Sequence, residues 1–228
     1  MNLRPTYLLI LLALALAVPA TAQSTQSTQS TDDKRFYVDF QLGQSLLGED
    51  VLFADSTNLP FGTAEVDYDT GLTSGFAFGW YATPRWRAEI EYLYRTDELE
   101  IATFGDGTTF DGGDFSSVAI SANTYLDFPV WRSKTSDRSF LVYVGAGLSW
   151  IQEVDIDLER DGQNVEFETD DSGFQWMAGV TWRFSPRWDS GFEIRGFDVS
   201  DIEMESDAGF VRSNYAPVNL SLSLSYRF

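Results

Sequence analysis

The sequence predicts an all-β chain, an eight-stranded antiparallel up-and-down transmembrane β-barrel, and three observations predict it. Apolar and polar residues alternate with period two through eight segments, with no helical stretch between them. The connections between segments alternate between short turns and long, polar stretches. The apolar row is also too bulky for the inside of so narrow a barrel, which places it outside, against lipid.

The chain opens with a segment of a different kind. Asn2-Leu3-Arg4 is a short basic start, 7–18 is an unbroken apolar run, and Ala20-Thr21-Ala22 offers small residues at a cleavage point. This pattern predicts a signal peptide over 1–22, because the run is shorter than the ~20 residues a membrane helix needs. Residues 23–31 read QST three times over and 32–35 are charged, so 23–35 is expected to be a flexible periplasmic tail. The barrel is expected over 36–228.

The last strand carries the clearest signal. Val218, Leu220, Leu222, Leu224, Tyr226 and Phe228 alternate with Asn219, Ser221, Ser223, Ser225 and Arg227. An extended chain sends these two sets to opposite faces. The same reading gives strands over 36–47, 71–82, 85–96, 115–128, 140–151, 173–184 and 188–198. Eight consecutive strands suit antiparallel neighbours, and an even number closes such a sheet without a free edge.

Thr83-Pro84-Arg85 and Ser185-Pro186-Arg187 form tight turns with proline where no ladder donor is needed. The stretch 129–139 is moderate and basic. The other connections, 48–70, 97–114, 152–172 and 199–213, are long and acidic and are expected to be extracellular loops. The heptapeptides from Trp80 to Trp86 and from Trp182 to Trp188 match in pattern, as two four-strand halves or as convergent turn chemistry.

Two further arguments favour a membrane over a soluble ligand-binding barrel. Trp80, Trp86, Trp182 and Trp188 lie at the short-turn ends of their strands, and Trp150 and Trp176 at the long-loop ends. Amphipathic indoles suit the two membrane interfaces. From Phe140 to Trp150 a strand tilted near 45° climbs about 23 Å, close to the ~25 Å apolar band of such barrels.

The terminal strand completes the case. A final aromatic, Phe228, closing the row Leu220, Leu222, Leu224 and Tyr226 resembles the assembly signal of bacterial outer-membrane barrels. As a pattern, 36–228 resembles the small OmpA, OmpX and opacity-protein type. That resemblance implies insertion by the barrel assembly machinery, residence in the bacterial outer membrane, and contact with its lipids and lipopolysaccharide.

Composition narrows the function. There is no cysteine and no histidine, which removes thiolate, disulfide and imidazole chemistry. A formal charge of −20 argues against nucleic acid, which needs a basic face. Arg87, Glu89, Glu91, Arg95, Asp127, Arg183, Glu193 and Arg195 are expected to point into the lumen and to pair there, because a buried charge needs a partner. Glu89 and Glu91 share a face but have arginines nearby, which favours two ionised carboxylates over an acid and base pair. Asp155, Asp157 and Glu159 have oxygen-ligand spacing, but the glycine a calcium loop requires is misplaced, and Glu166 and Glu168 read as the return strand of a hairpin turning at Asp161-Gly162. No cofactor, metal or catalytic group is therefore expected. The sequence points to a monomeric structural or surface-interaction protein with a filled lumen. A narrow pore for ions or small solutes is the alternative.

Overall fold

The computed structural model describes residues 35–48, 50–160, 163–206 and 209–228, with backbone alone at 160, 163, 164, 200 and 201. The expected signal peptide, all of the expected tail except Arg35, and the turn at 161–162 lie outside the described residues.

The described chain forms twelve β-strands: β1 (Phe36–Leu46), β2 (Asp50–Ser56), β3 (Gly62–Tyr68), β4 (Gly71–Thr83), β5 (Trp86–Phe104), β6 (Thr109–Phe110), β7 (Asp114–Arg132), β8 (Ser139–Arg160), β9 (Gln163–Arg183), β10 (Trp188–Ser206), β11 (Gly209–Tyr215) and β12 (Val218–Arg227). All pairings are antiparallel. They pass from β1 through β4, β5, β7, β8, β9, β10 and β12 and return to β1, so the sheet is barrel-like. At the β1–β12 seam, the amide of Phe228 donates to Phe36 O at 2.9 Å and that of Phe36 to Phe228 O at 3.2 Å.

The stretches read as long loops are largely strand. β5, β8, β9 and β10 extend into them, and β2, β3, β6 and most of β11 lie within them. Here a second set of pairings takes over. β10 pairs β11, β11 pairs β2, β2 pairs β3 and β3 pairs β5. The wall β11–β2–β3 thus continues from the same flanking strands as the wall β12–β1–β4. Between β5 and β8, β6 pairs with β5, and Asp111 and Gly112 bond to Glu159.

What changes between the two sections is the direction of the side chains. In the first section Val144 is 50% exposed, while Tyr143 and Ser149 are buried. Apolar residues face out and polar ones in. Beyond it Val154, Ile156 and Leu158 are all 0% exposed. The cause is a bulge. Ala119 of β7 sits opposite Ile151 but Val118 sits opposite Glu153, leaving Gln152 as an extra residue in β8. One extra residue swaps the faces of every position that follows. β5 carries an extra residue between Leu99 and Ile101, and β10 one between Val199 and Ile202. In β8 even-numbered apolar residues thus lie outside before the bulge and inside after it, with Ile151 and Gln152 interrupting the alternation between the two rows.

The interior consequently has two fillings. Leu52, Val66, Phe104, Phe115, Ile156 and Phe167 belong to one apolar cluster beneath the acidic exterior. Burying each such side chain contributes about 1.5–3 kcal/mol. The first section is filled instead by polar and charged groups. Glycine makes room for them: a Cβ at Gly79 would sit 1.9 Å from the Tyr37 ring.

Candidate functional site: the lumen network

Eight charged residues were expected in the lumen, and they come from four strands. Arg87, Glu89, Glu91 and Arg95 lie on β5, Asp127 on β7, Arg183 on β9, and Glu193 and Arg195 on β10. The inward parity of each strand buries Glu89, Glu91, Arg95, Asp127, Glu193 and Arg195, while Arg87 and Arg183 keep a small exposed fraction.

Arg195 is the centre of the network. Its guanidinium pairs with Glu91 across the lumen and with Glu193 on its own strand at 2.7 Å. Glu91 also accepts from Gln41 and from Asn123. The carboxamide oxygen of Asn123 in turn accepts from Gln175 at 2.6 Å, and the second Glu193 oxygen accepts from Tyr143 at 2.9 Å.

A second layer forms around Arg87 and Glu89. Tyr37 and Tyr125 donate to Glu89 at 2.7 and 2.6 Å. Arg87 pairs with Asp127 at 3.2 Å and stacks over Tyr125 at 3.9 Å and Tyr143 at 4.7 Å. A third layer closes the short-turn end, where Asp189 takes Arg183 at 3.2 Å and Arg227 at 3.3 Å. Arg227 also caps the carbonyl of Pro186 at 3.0 Å, tying the terminal strand to the tight turn.

Each carboxylate of the Glu89 and Glu91 pair is held by several donors. Tyr37, Asn123 and Tyr125 donate to Glu89, and Gln41, Asn123 and Arg195 donate to Glu91. The free space beside the network is a cavity of about 30 Å³ lined by Tyr37, Asp39, Arg87, Glu89 and Glu193 among others, enough for one or two waters.

Arg95 differs from the rest. It is fully buried, and its guanidinium lies 4.6 Å from the centre of the Phe197 ring and against the Tyr215 hydroxyl. It stands where the polar filling meets the apolar one. Asp97, two residues on, accepts from Ser45 at 3.0 Å, and burial pushes its carboxyl up to about 6.

The six tryptophans singled out lie on the outer face. Trp80, Trp150, Trp176, Trp182 and Trp188 are exposed, and Trp86 donates its indole N–H to Thr124. Trp131 is a further exposed indole, which falls within the stretch 129–139 read as a moderate basic connection, because β7 runs on to Arg132. In the terminal row, Leu222, Leu224 and Phe228 are exposed and Leu220 and Tyr226 half-buried. Phe228 stacks on Phe36 at 6.3 Å and Tyr226 packs on Trp188 at 5.0 Å. Asp155, Asp157 and Glu159 lie on one strand on the outer face. No cluster of metal-binding side chains is found among the described residues.

An outward apolar face, a polar inward face and antiparallel strands describe an outer-membrane barrel. The chain belongs to the family of outer membrane protein β-barrel domains, whose model matches residues 8–228. It is a small barrel of the OmpA, OmpX and opacity type. It is similar in fold to the crystal structure of Neisserial surface protein A, at 16% identity and a TM-score of 0.51, over 85% of this chain and 97% of that one. It is likewise similar to OprG from Pseudomonas aeruginosa, at 9% identity and a TM-score of 0.60, over 86% of this chain and 96% of that one. No curated protein sequence gives a significant match. The family is one of outer-membrane proteins, which supports the bacterial outer membrane as the location.

Proposed function

We propose that this chain is an eight-stranded transmembrane barrel with a closed lumen, serving a structural or cell-surface role in the outer membrane and conducting nothing. Lipid and lipopolysaccharide contact its apolar band, which the interface tryptophans bracket, and the row ending at Phe228 directs its assembly. The observation that carries this reading is the double filling of the interior. A network centred on Arg195 occupies the membrane section, and an apolar core with Val154, Ile156, Leu158 and Phe167 at 0% exposure occupies the section above it. An ion would have to part both. The absence of cysteine and histidine is in keeping with a role without catalysis.

The test is single-channel recording in a planar bilayer with refolded protein whose heat-dependent gel shift marks a folded barrel. The expected record is flat. Discrete steps altered by Glu91→Gln or Glu193→Gln would replace this reading with a narrow pore gated by the network.

A further inference from the structure

The outer face of the β11–β2–β3 wall breaks the pattern of the section around it. Elsewhere its outward positions are largely acidic, as in Glu153, Glu166, Glu168 and Asp170. On this wall Phe53 meets Phe61 edge-on at 5.7 Å and Phe210 at 6.3 Å. Phe61 is 76% exposed and the neighbouring Val51 is 54% exposed. Arg212 stacks over Phe210 at 5.0 Å and pairs with Glu203. Leu52, Ala54 and Val211, which alternate with these residues, fill the core, so the aromatic group is surplus to folding.

The surroundings indicate what fits it. The hairpin that carries Phe53 and Phe61 has no lysine or arginine between residues 48 and 70 and has six acids there. Glu203 also lines an open groove with Glu153, Glu166, Glu168, Asp170 and Glu205. The aromatic group therefore has an acidic flank on both sides. A second copy of this chain or an anionic lipid headgroup would meet like charge there, whereas a basic surface would be attracted.

We propose that the Phe53, Phe61 and Phe210 group is the docking point for a cationic amphipathic polypeptide. Its apolar side chains cover the three rings and its lysines or arginines lie along the acidic groove. This inference rests on the surface-interaction reading above and names the partner's chemistry. Phe53 and Phe210 are half-buried and Phe61 stands open, and an exposed apolar patch rimmed by polar residues marks an interaction site.

The experiment uses the folded protein in phosphatidylcholine nanodiscs, with empty discs as blank. Labelled ten-residue peptides of alternating Lys and Phe, Lys and Ser, or Glu and Phe are titrated by fluorescence anisotropy. The Lys/Phe peptide is expected to bind the barrel discs and to weaken as salt rises. Phe61→Ser with Phe210→Ser should reduce its affinity roughly tenfold or more, as should the change to Lys/Ser. Phe61→Ser alone, at the most exposed of the rings, keeps the test valid should the pair disturb the hairpin. The proposal is overturned if the ring variants bind as wild type, if Glu/Phe binds as well as Lys/Phe, or if no peptide binds. It is also overturned by self-association in detergent that the ring variants abolish. Conductance steps in the bilayer experiment would instead overturn the closed-barrel reading, whatever the peptides do.

Discussion

The two halves of β8 have the same sequence pattern and opposite environments. Val142 to Trp150 and Val154 to Leu158 are both rows of alternating apolar residues on even numbers. The first row faces outward and the second is sealed from solvent. The difference is one residue, Gln152, inserted between them. Where the surrounding solvent is lipid, apolar side chains are stable outside and the polar face must satisfy itself within. Where it is water, the preference inverts. A bulge lets one strand cross that boundary with its apolar residues on even-numbered positions on both sides of it.

β9 solves the same problem differently. It has no parity change along its length, so its sequence must change instead. Phe174 and Trp176 face out in one section, and Glu166 and Glu168 hold the same outward parity in the other, with Phe167 turned in. Paired strands thus cross one boundary by two routes, one in backbone geometry and one in composition.

Removing the geometric route should have the largest effect. Deletion of Gln152 would put Asp155 and Asp157 inside and Val154, Ile156 and Leu158 outside. The upper section is expected to lose its protection from protease and hydrogen exchange, while the membrane section keeps its heat-dependent gel shift. Loss of both together would mean that the sections fold as one unit.

Next in size is the centre of the network. Arg195→Met leaves Glu91 and Glu193 buried without their cation, and should cost roughly 3–5 kcal/mol in denaturant unfolding from detergent. Combining it with Glu91→Gln and Glu193→Gln should recover most of that loss. Arg95→Met, at the junction, should behave in the opposite way. Its guanidinium is held by the Phe197 ring and the Tyr215 hydroxyl and not by paired carboxylates like those of Arg195, so the variant is expected to be neutral within about 1 kcal/mol or more stable than wild type. A loss as large as that of Arg195→Met would show that Arg95 holds the two fillings together.

The smallest effect is one of pH. Burial raises the carboxyl of Asp97 to about 6, and burial with repulsion from Asp114 and Asp157 does the same for Asp155. A carboxyl whose pKa rises on folding binds protons more readily in the folded chain. Stability of the upper section should therefore fall as pH rises from about 4 through 6 and level off above. Asp97→Asn should flatten that slope in a pH series of hydrogen exchange, and an unchanged slope would remove Asp97 as its source.

The membrane section was legible because lipid demands a long, unbroken apolar row on each strand, and period two reveals it. While Asp189 and Arg227, which complete the third layer, were not singled out, eight of the lumen charges are legible by parity alone. Their neutral partners were not singled out, although Tyr37, Gln41, Asn123, Tyr125, Tyr143 and Gln175 share the same inward parity. Which inward groups touch depends on register across strands, which no single segment encodes. The upper section was read as loop because its charge density outweighed its alternation. Asp155-Ile156-Asp157-Leu158-Glu159 is a strand pattern, and the return strand that the sequence suggests at Glu166 and Glu168 is the one β9 supplies, with Asp157 opposite Glu166 and Asp155 opposite Glu168.

The chain has no cysteine, so each cysteine introduced along β8 is a unique probe of its own position. Single cysteines at 142 through 158, in protein reconstituted in lipid, would be treated with a water-soluble maleimide. Labelling is expected to be absent at 142 through 150, to appear at 153, 155 and 157, and to be absent at 154, 156 and 158. Strong labelling at 154, 156 and 158 would place the second row outside with the first and contradict the inversion on which the closed barrel depends.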